Sequence, residues 1–146
     1  MTNFTLNFTI DNYANLNYGM YAEQNLVYHF TGEVRKHDCV PFDKDSDLPE
    51  MNMSIKSNGF SLASGKSNRG NTLEEKLDDF FARVHSTQFA YVTLTHEVFI
   101  MNADEFRSFL NTFGTLTYES EKNGGYPKVR AKKESKKMIE WLISHS

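Results

Sequence analysis

The chain is poor in cysteine, with one, and in proline, with three. It has no apolar run near the roughly 20 residues that a membrane-spanning helix needs. A lone Cys39 excludes an internal disulfide, and no second Cys or nearby His stands at zinc-ligand spacing from it. The opening MTNFTLNFTID has neither the basic start nor the long apolar block of a secretory signal. A reducing, cytoplasmic setting without a membrane partner is therefore expected. Positive charge is not in excess either: 16 Lys and Arg face 19 Asp and Glu, a net charge of −3. That net charge by itself says nothing for a nucleic-acid partner. No repeat, low-complexity tract or linker interrupts it, which predicts one domain over residues 1–146.

Aromatic residues are plentiful. They make up 14% of a sequence that is 39% hydrophobic, and a chain of 146 residues buries roughly 70% of its unfolded surface. That composition predicts a packed core. Basic charge is concentrated in KVRAKKESKK, residues 128–137, where Glu134 is the one acid. Lys128, Arg130, Lys132 and Lys133 there either contact phosphate or form the solvated approach to a helix.

Hydrophobic spacing predicts the elements. Phe4, Leu6, Phe8 and Ile10 alternate with polar residues as in a strand. YGMYAEQNLVYHFTG reads as a helix closed by Gly32, with Gly19, Ala22, Leu26, Val27 and Phe30 on one face and Glu23 projecting from it. A carboxylate among core positions needs a partner, because burying it alone costs several kcal/mol. An N-terminal arm or Arg35 is one kind of partner; a metal site is another. Strand-like residues run from Glu33 to Phe42. In SDLPEMNMSIKSNGFSL, Met51, Met53 and Ile55 alternate with Asn52, Ser54 and Lys56. A short strand is expected at Gly59 to Ala63. TLEEKLDDFFARVH is a helix with a Thr72–Glu75 cap, FAYVTL and EVFIM are two strands, and a helix begins at Asn102. Strands near Thr115–Tyr118 and Lys128–Ala131 precede a closing helix from Glu134. The expected fold is α/β, a single mixed β-sheet flanked by helices.

Some chemistries find no support. His29, His37, His85, His96 and His145 fall at no paired ligand spacing, and neither Ser61 nor Ser64 sits in a nucleophile elbow. The loop SGKSNRGN, residues 64–71, lacks P-loop spacing, although its Lys66 and Arg69 could meet a polyanion.

A reversal around Pro49 to Met51 would set Asp47 opposite Ser54, with paired Cβ atoms about 5 Å apart and diagonal ones about 7 Å. Asp47, Lys56 and the Ile55 carbonyl would then share one volume, with Glu23 arriving from the first helix.

This constellation resembles the PD-(D/E)xK nucleases, the restriction-endonuclease-like superfamily. Asp47 matches the metal-binding aspartate, Ser54-Ile55-Lys56 the acid-x-lysine triplet, and Glu23 the acid on the first core helix. The resemblance spans about residues 18 to 102 and implies an αβββαβ core. It implies a metal-dependent DNA endonuclease or resolvase-type phosphodiesterase, of the kind found in restriction, phage and repair systems. Glu23, Asp47 and Ile55 would hold Mg²⁺ or Mn²⁺, Lys56 would serve the attacking water, and Lys128, Arg130, Lys132 and Lys133 would contact DNA. A homodimer would supply the two sites that cutting both strands needs. The sequence departs from the pattern in two places. Ser54 stands where an acid is expected, and Asp47 lies close to Lys56, with Asp43 as the more distant alternative. Those departures suit a second reading, a non-catalytic nuclease-like module that binds DNA or protein.

Overall fold

The computed structural model describes residues 1–12, 15–35, 46–62, 72–118 and 127–146. Its elements are β1 (Thr2–Thr5), α1 (Tyr18–Thr31), a 3-10 turn (Pro49–Met51), β2 (Met53–Ser57), α2 (Leu73–Arg83), β3 (Gln88–Val92), β4 (Glu97–Asn102), α3 (Ala103–Phe113), β5 (Gly114–Tyr118), β6 (Pro127–Ala131) and α4 (Lys136–Ser144). The fold is α/β, but with two sheets instead of the expected single one. A four-stranded mixed sheet has the order β1-β4-β3-β2, and β5 pairs with β6 separately.

Strands β2 and β3 are parallel, with Lys56 beside Tyr91, and α2 is the crossover between them. β4 is antiparallel to β3, and β1 is antiparallel to β4. Helices cover both faces, as the alternation of apolar residues requires. On one face Ala22, Leu26 and Val27 of α1 meet Met53, Ile55, Ala90, Val92 and Val98. On the other, Leu77, Phe106, Phe109, Met138 and Leu142 from α2, α3 and α4 meet Phe89, Tyr91, Phe99 and Met101. Phe89 and Phe106 stack there with ring centroids 4.4 Å apart. Each such fully buried side chain contributes about 1.5–3 kcal/mol through burial.

The helix ends follow local chemistry. Gly32 takes φ 71° and donates its N–H to the Tyr28 carbonyl, closing α1. Asn102 and Glu105 form a reciprocal capping box at α3. Thr72 accepts the Glu75 amide at α2.

Three strand expectations change. The first strand stops at Thr5 because Asn25, buried in α1, accepts the Ile10 amide at 3.0 Å and turns the following arm onto the helix. Phe60 to Leu62 do not form a strand of the main sheet; Leu62 donates to Val129, and Phe60 accepts from Ala131, tying this segment to β6. Residues 33–35 are irregular, and the rest of the strand expected up to Phe42 lies outside the described residues.

Candidate metal and phosphate site

The hairpin forms in the register that the sequence predicts. Leu48 and Met53 form an antiparallel bridge and exchange both backbone bonds, at 3.0 and 3.2 Å. Continuing that register sets Asp47 opposite Ser54. The ladder does not continue by backbone, however. The Ile55 amide donates to Asp47 Oδ2 at 2.7 Å, so a carboxylate takes the place of the next carbonyl. A strand residue points its N–H and C=O to the same side. The Ile55 carbonyl therefore faces the same edge of β2 as the Asp47 carboxylate.

Lys56 lies on the face of β2 opposite Met53 and Ile55, half-buried, with its ammonium 6.0 Å from the Phe60 ring centroid. Burial pushes its pKa below the ordinary lysine value, while Asp47 and then Glu23 oppose that shift. Glu23 is thus close enough to act electrostatically, although α1 packs on the other face. The start of α1 approaches the β2 edge closely: a Cβ on Gly19, one turn before Glu23, would sit 2.9 Å from Ser57 Oγ.

Ser54 is used differently. Its hydroxyl lies 2.6 Å from Ser86 Oγ, which lies 2.8 Å from Ser46 Oγ. All three serines are buried, so the residue in the acid position belongs to a closed hydroxyl chain. Arg35, a candidate partner for Glu23, pairs with Glu50 at 2.9 Å and Glu33 at 3.5 Å. Its guanidinium holds the Glu50 carboxyl below the usual range. Asp43, Cys39, His37, Lys66 and Arg69 lie outside the described residues.

Several residues around this cluster carry no pattern in the sequence. Glu134 accepts the Tyr91 hydroxyl at 2.9 Å and the Leu94 amide at 3.0 and 3.2 Å, while its own amide donates to Asn58 at 2.7 Å. Burial, then Glu134, pushes the Tyr91 phenol far above its ordinary range. Tyr18 is pushed up to about 12 by burial and then by Glu134. Lys132 and Lys133, both exposed, directly precede this anchor. Arg130 is exposed and Lys128 half-buried on the outer side of β6. The basic run is thereby tied to the end of the Lys56 strand.

Among the described residues, no three His, Cys, Asp or Glu side chains form a group that could hold a metal ion. The oxygens on the β2 edge, the Asp47 carboxylate and the Ile55 carbonyl, are hard donors of the kind that Mg²⁺ or Mn²⁺ takes. Mg²⁺ keeps several waters and needs only one or two carboxylates.

Compared with known proteins, the chain matches no family model, no curated protein and no solved structure. Among the described residues, no helix is long and apolar enough to cross a membrane.

Proposed function

We propose that the chain is a divergent PD-(D/E)xK-type nuclease that hydrolyses DNA phosphodiester bonds with Mg²⁺ or Mn²⁺. One observation carries this reading. Asp47 is held by the Ile55 amide at 2.7 Å, and its charge and that of Glu23 on α1 favour the ammonium form of Lys56 against its burial. The unit β2-α2-β3, with its parallel strands, supports it, because a restriction-endonuclease-like core carries its lysine strand in such a unit.

Asp47, Glu23 and the Ile55 carbonyl would hold the cation, which when bound polarises the scissile phosphate and offsets charge on the leaving oxygen. Lys56 orients the attacking water, and its depressed pKa brings it closer to accepting the proton that the water releases. Asp47 also keeps Lys56 in place through charge. Lys128, Arg130, Lys132 and Lys133 contact the DNA backbone. Cutting both strands calls for two sites, hence a homodimer, in a cytoplasmic setting where DNA is at hand.

The test is incubation with linear, supercoiled and branched DNA in Mg²⁺ or Mn²⁺. Nicking or cleavage is expected, with loss in Lys56→Ala and Asp47→Ala. DNA left intact in every case, or unchanged cleavage by Lys56→Ala, overturns the reading.

The Ser46–Ser86–Ser54 chain favours a second reading, because a neutral residue already engaged in hydrogen bonds replaces an acidic ligand. A non-catalytic module would bind DNA or a protein partner in the presence of a chelator, and that binding would survive Asp47→Ala.

A further inference from the structure

Strand β1 forms one edge of the four-stranded sheet, with β4 as its strand neighbour among the described residues. The Leu6 amide donates to the His96 carbonyl at 2.7 Å, and in the same register Phe4 stands opposite Val98 and Thr2 opposite Ile100. Backbone groups alternate in direction along a strand, so Thr2, Phe4 and Leu6 turn theirs to β4 while Asn3 and Thr5 turn theirs away. Thr2, Asn3 and Thr5 are exposed. This edge therefore presents the N–H and C=O groups of Asn3 and Thr5 to its surroundings.

Open edges are ordinarily guarded by charged side chains, proline or a bulge, because they pair with any strand that meets them. β1 carries none of these. The side chains of residues 1–10 include no acid, no base and no proline, and the register with β4 is unbroken from Thr2 to Thr5. The opposite edge, β2, is treated differently: Leu48 bridges to Met53, and the Asp47 carboxylate takes the Ile55 amide. Among the described residues, the chain thus closes one edge of its sheet and leaves the other unpaired.

That unpaired edge is complementary to itself. Turned about a two-fold axis through Phe4, two copies of β1 run antiparallel, with Asn3 of one strand opposite Thr5 of the other and Phe4 opposite Phe4. Asn3 and Thr5 are the residues whose backbone groups point outward, so each Asn3–Thr5 pair exchanges both of its backbone bonds. A register shifted by one residue sets outward groups against inward ones and loses those bonds. The Phe4 ring stacks on His29 at 4.9 Å and meets Phe30 edge-on at 6.1 Å, so the last turn of α1 lies over the same axis. There the two Phe4 rings and the two exposed His29 rings add contact to the backbone bonds.

We propose that the occupant of this edge is a second copy of the chain, paired antiparallel through Asn3, Phe4 and Thr5 so that the two sheets become one. The proposal names the surface of the homodimer in the reading above, rests on that part of it alone, and needs no cleavage. An isologous contact of this kind closes at two copies. The strands are short, so the dimer belongs to the weak, reversible class.

Sedimentation equilibrium over a range of concentrations tests it. The unmutated protein is expected to show a reversible monomer–dimer equilibrium. Thr5→Pro removes an N–H that points away from β4, at a place where an edge strand accepts proline. It is expected to weaken the dimer at least about tenfold, because the two-fold removes two bonds at once, and to leave the Tm of dilute protein unchanged. Asn3→Lys with Thr5→Lys sets like charges opposite each other and is expected to give a monomer. Asn3→Glu with Thr5→Lys sets opposite charges together and is expected to keep the dimer. A monomer at every concentration, a larger assembly, or a dimer that Thr5→Pro and the double-lysine variant leave unchanged overturns the proposal. If Thr5→Pro fails to fold, the two charge pairs still decide. A dimer that is lost in the double-lysine variant but cuts no DNA defeats the nuclease reading alone. A monomer that cuts DNA defeats the edge pairing alone.

Discussion

The carboxylate of Asp47 accepts the amide of Ile55 at 2.7 Å, eight residues along the chain and across a reversal made by Pro49 to Met51. One side chain thus caps the hairpin ladder and favours the charged form of Lys56.

These two roles of Asp47 separate by substitution. Asp47→Ala leaves the Ile55 amide without its charged acceptor and is expected to cost about 2 kcal/mol. Asp47→Asn keeps an oxygen acceptor at the same place and should cost less than about 1 kcal/mol. Urea denaturation measures both. DNA cleavage in Mg²⁺ should be lost in both variants, because the asparagine lacks the charge. An active Asp47→Asn would remove this residue from the metal site.

The depressed pKa of Lys56 makes stability depend on pH in a known direction. Between the lowered folded-state value and the ordinary value of about 10.4, the folded protein binds fewer protons than the unfolded chain. Stability therefore rises with pH across that window. Lys56→Met should flatten the rise, as read by urea midpoints taken below about pH 9, where tyrosines are protonated in both states. Cleavage should fall at least ~100-fold in the same variant. A rise that persists in Lys56→Met would assign it to another group.

Restoring an acid at position 54 tests what the serine replaced. Ser54→Asp breaks the bond to Ser86 and brings a second charge beside Asp47, so Tm in EDTA should fall. Adding Mg²⁺ should recover several degrees, through binding to the folded state alone. The same addition should move the unmutated protein less. Equal Mg²⁺ responses would argue that position 54 does not face the cation.

The basic run should announce itself through salt. Removing Lys128, Arg130, Lys132 and Lys133 one at a time should weaken DNA binding and reduce the log–log salt slope by about one for each residue that contacts phosphate. A slope unchanged by all four replacements would leave the run as a solvated surface. Lys132 and Lys133, fully on the surface beside Glu134, should have the larger effects.

The hairpin was legible because its information is local. Proline at position 49, the alternation from Met51 to Lys56 and a reversal of a few residues leave little choice of register, and the Leu48–Met53 bridge agrees with it. The buried stripe of α1 was legible for the same reason, apart from Asn25. That side chain is buried because it bonds both the Tyr21 carbonyl and the Ile10 amide, a satisfaction that helical spacing cannot reveal. The hydroxyl partner of Ser54 was not legible. That partner, Ser86, lies 32 residues away and comes beside it only once β2 and β3 pair.

Local sequence determined the starts of α1, α2 and α3 and their apolar faces, whereas α4 begins at Lys136 behind a Ser135 cap and not at Glu134. Caps such as Asn102 with Glu105 act over three residues, and side-chain periodicity is fixed by backbone geometry. Tertiary structure alone decided that β2 and β3 run parallel, that β5 and β6 separate from the main sheet, and that Glu134 joins Tyr91, Leu94 and Asn58. Those choices depend on which distant surfaces best cover one another and which buried polar groups find partners. The Glu134 contacts span 40 residues or more, as with Leu94, beyond the reach of any local pattern.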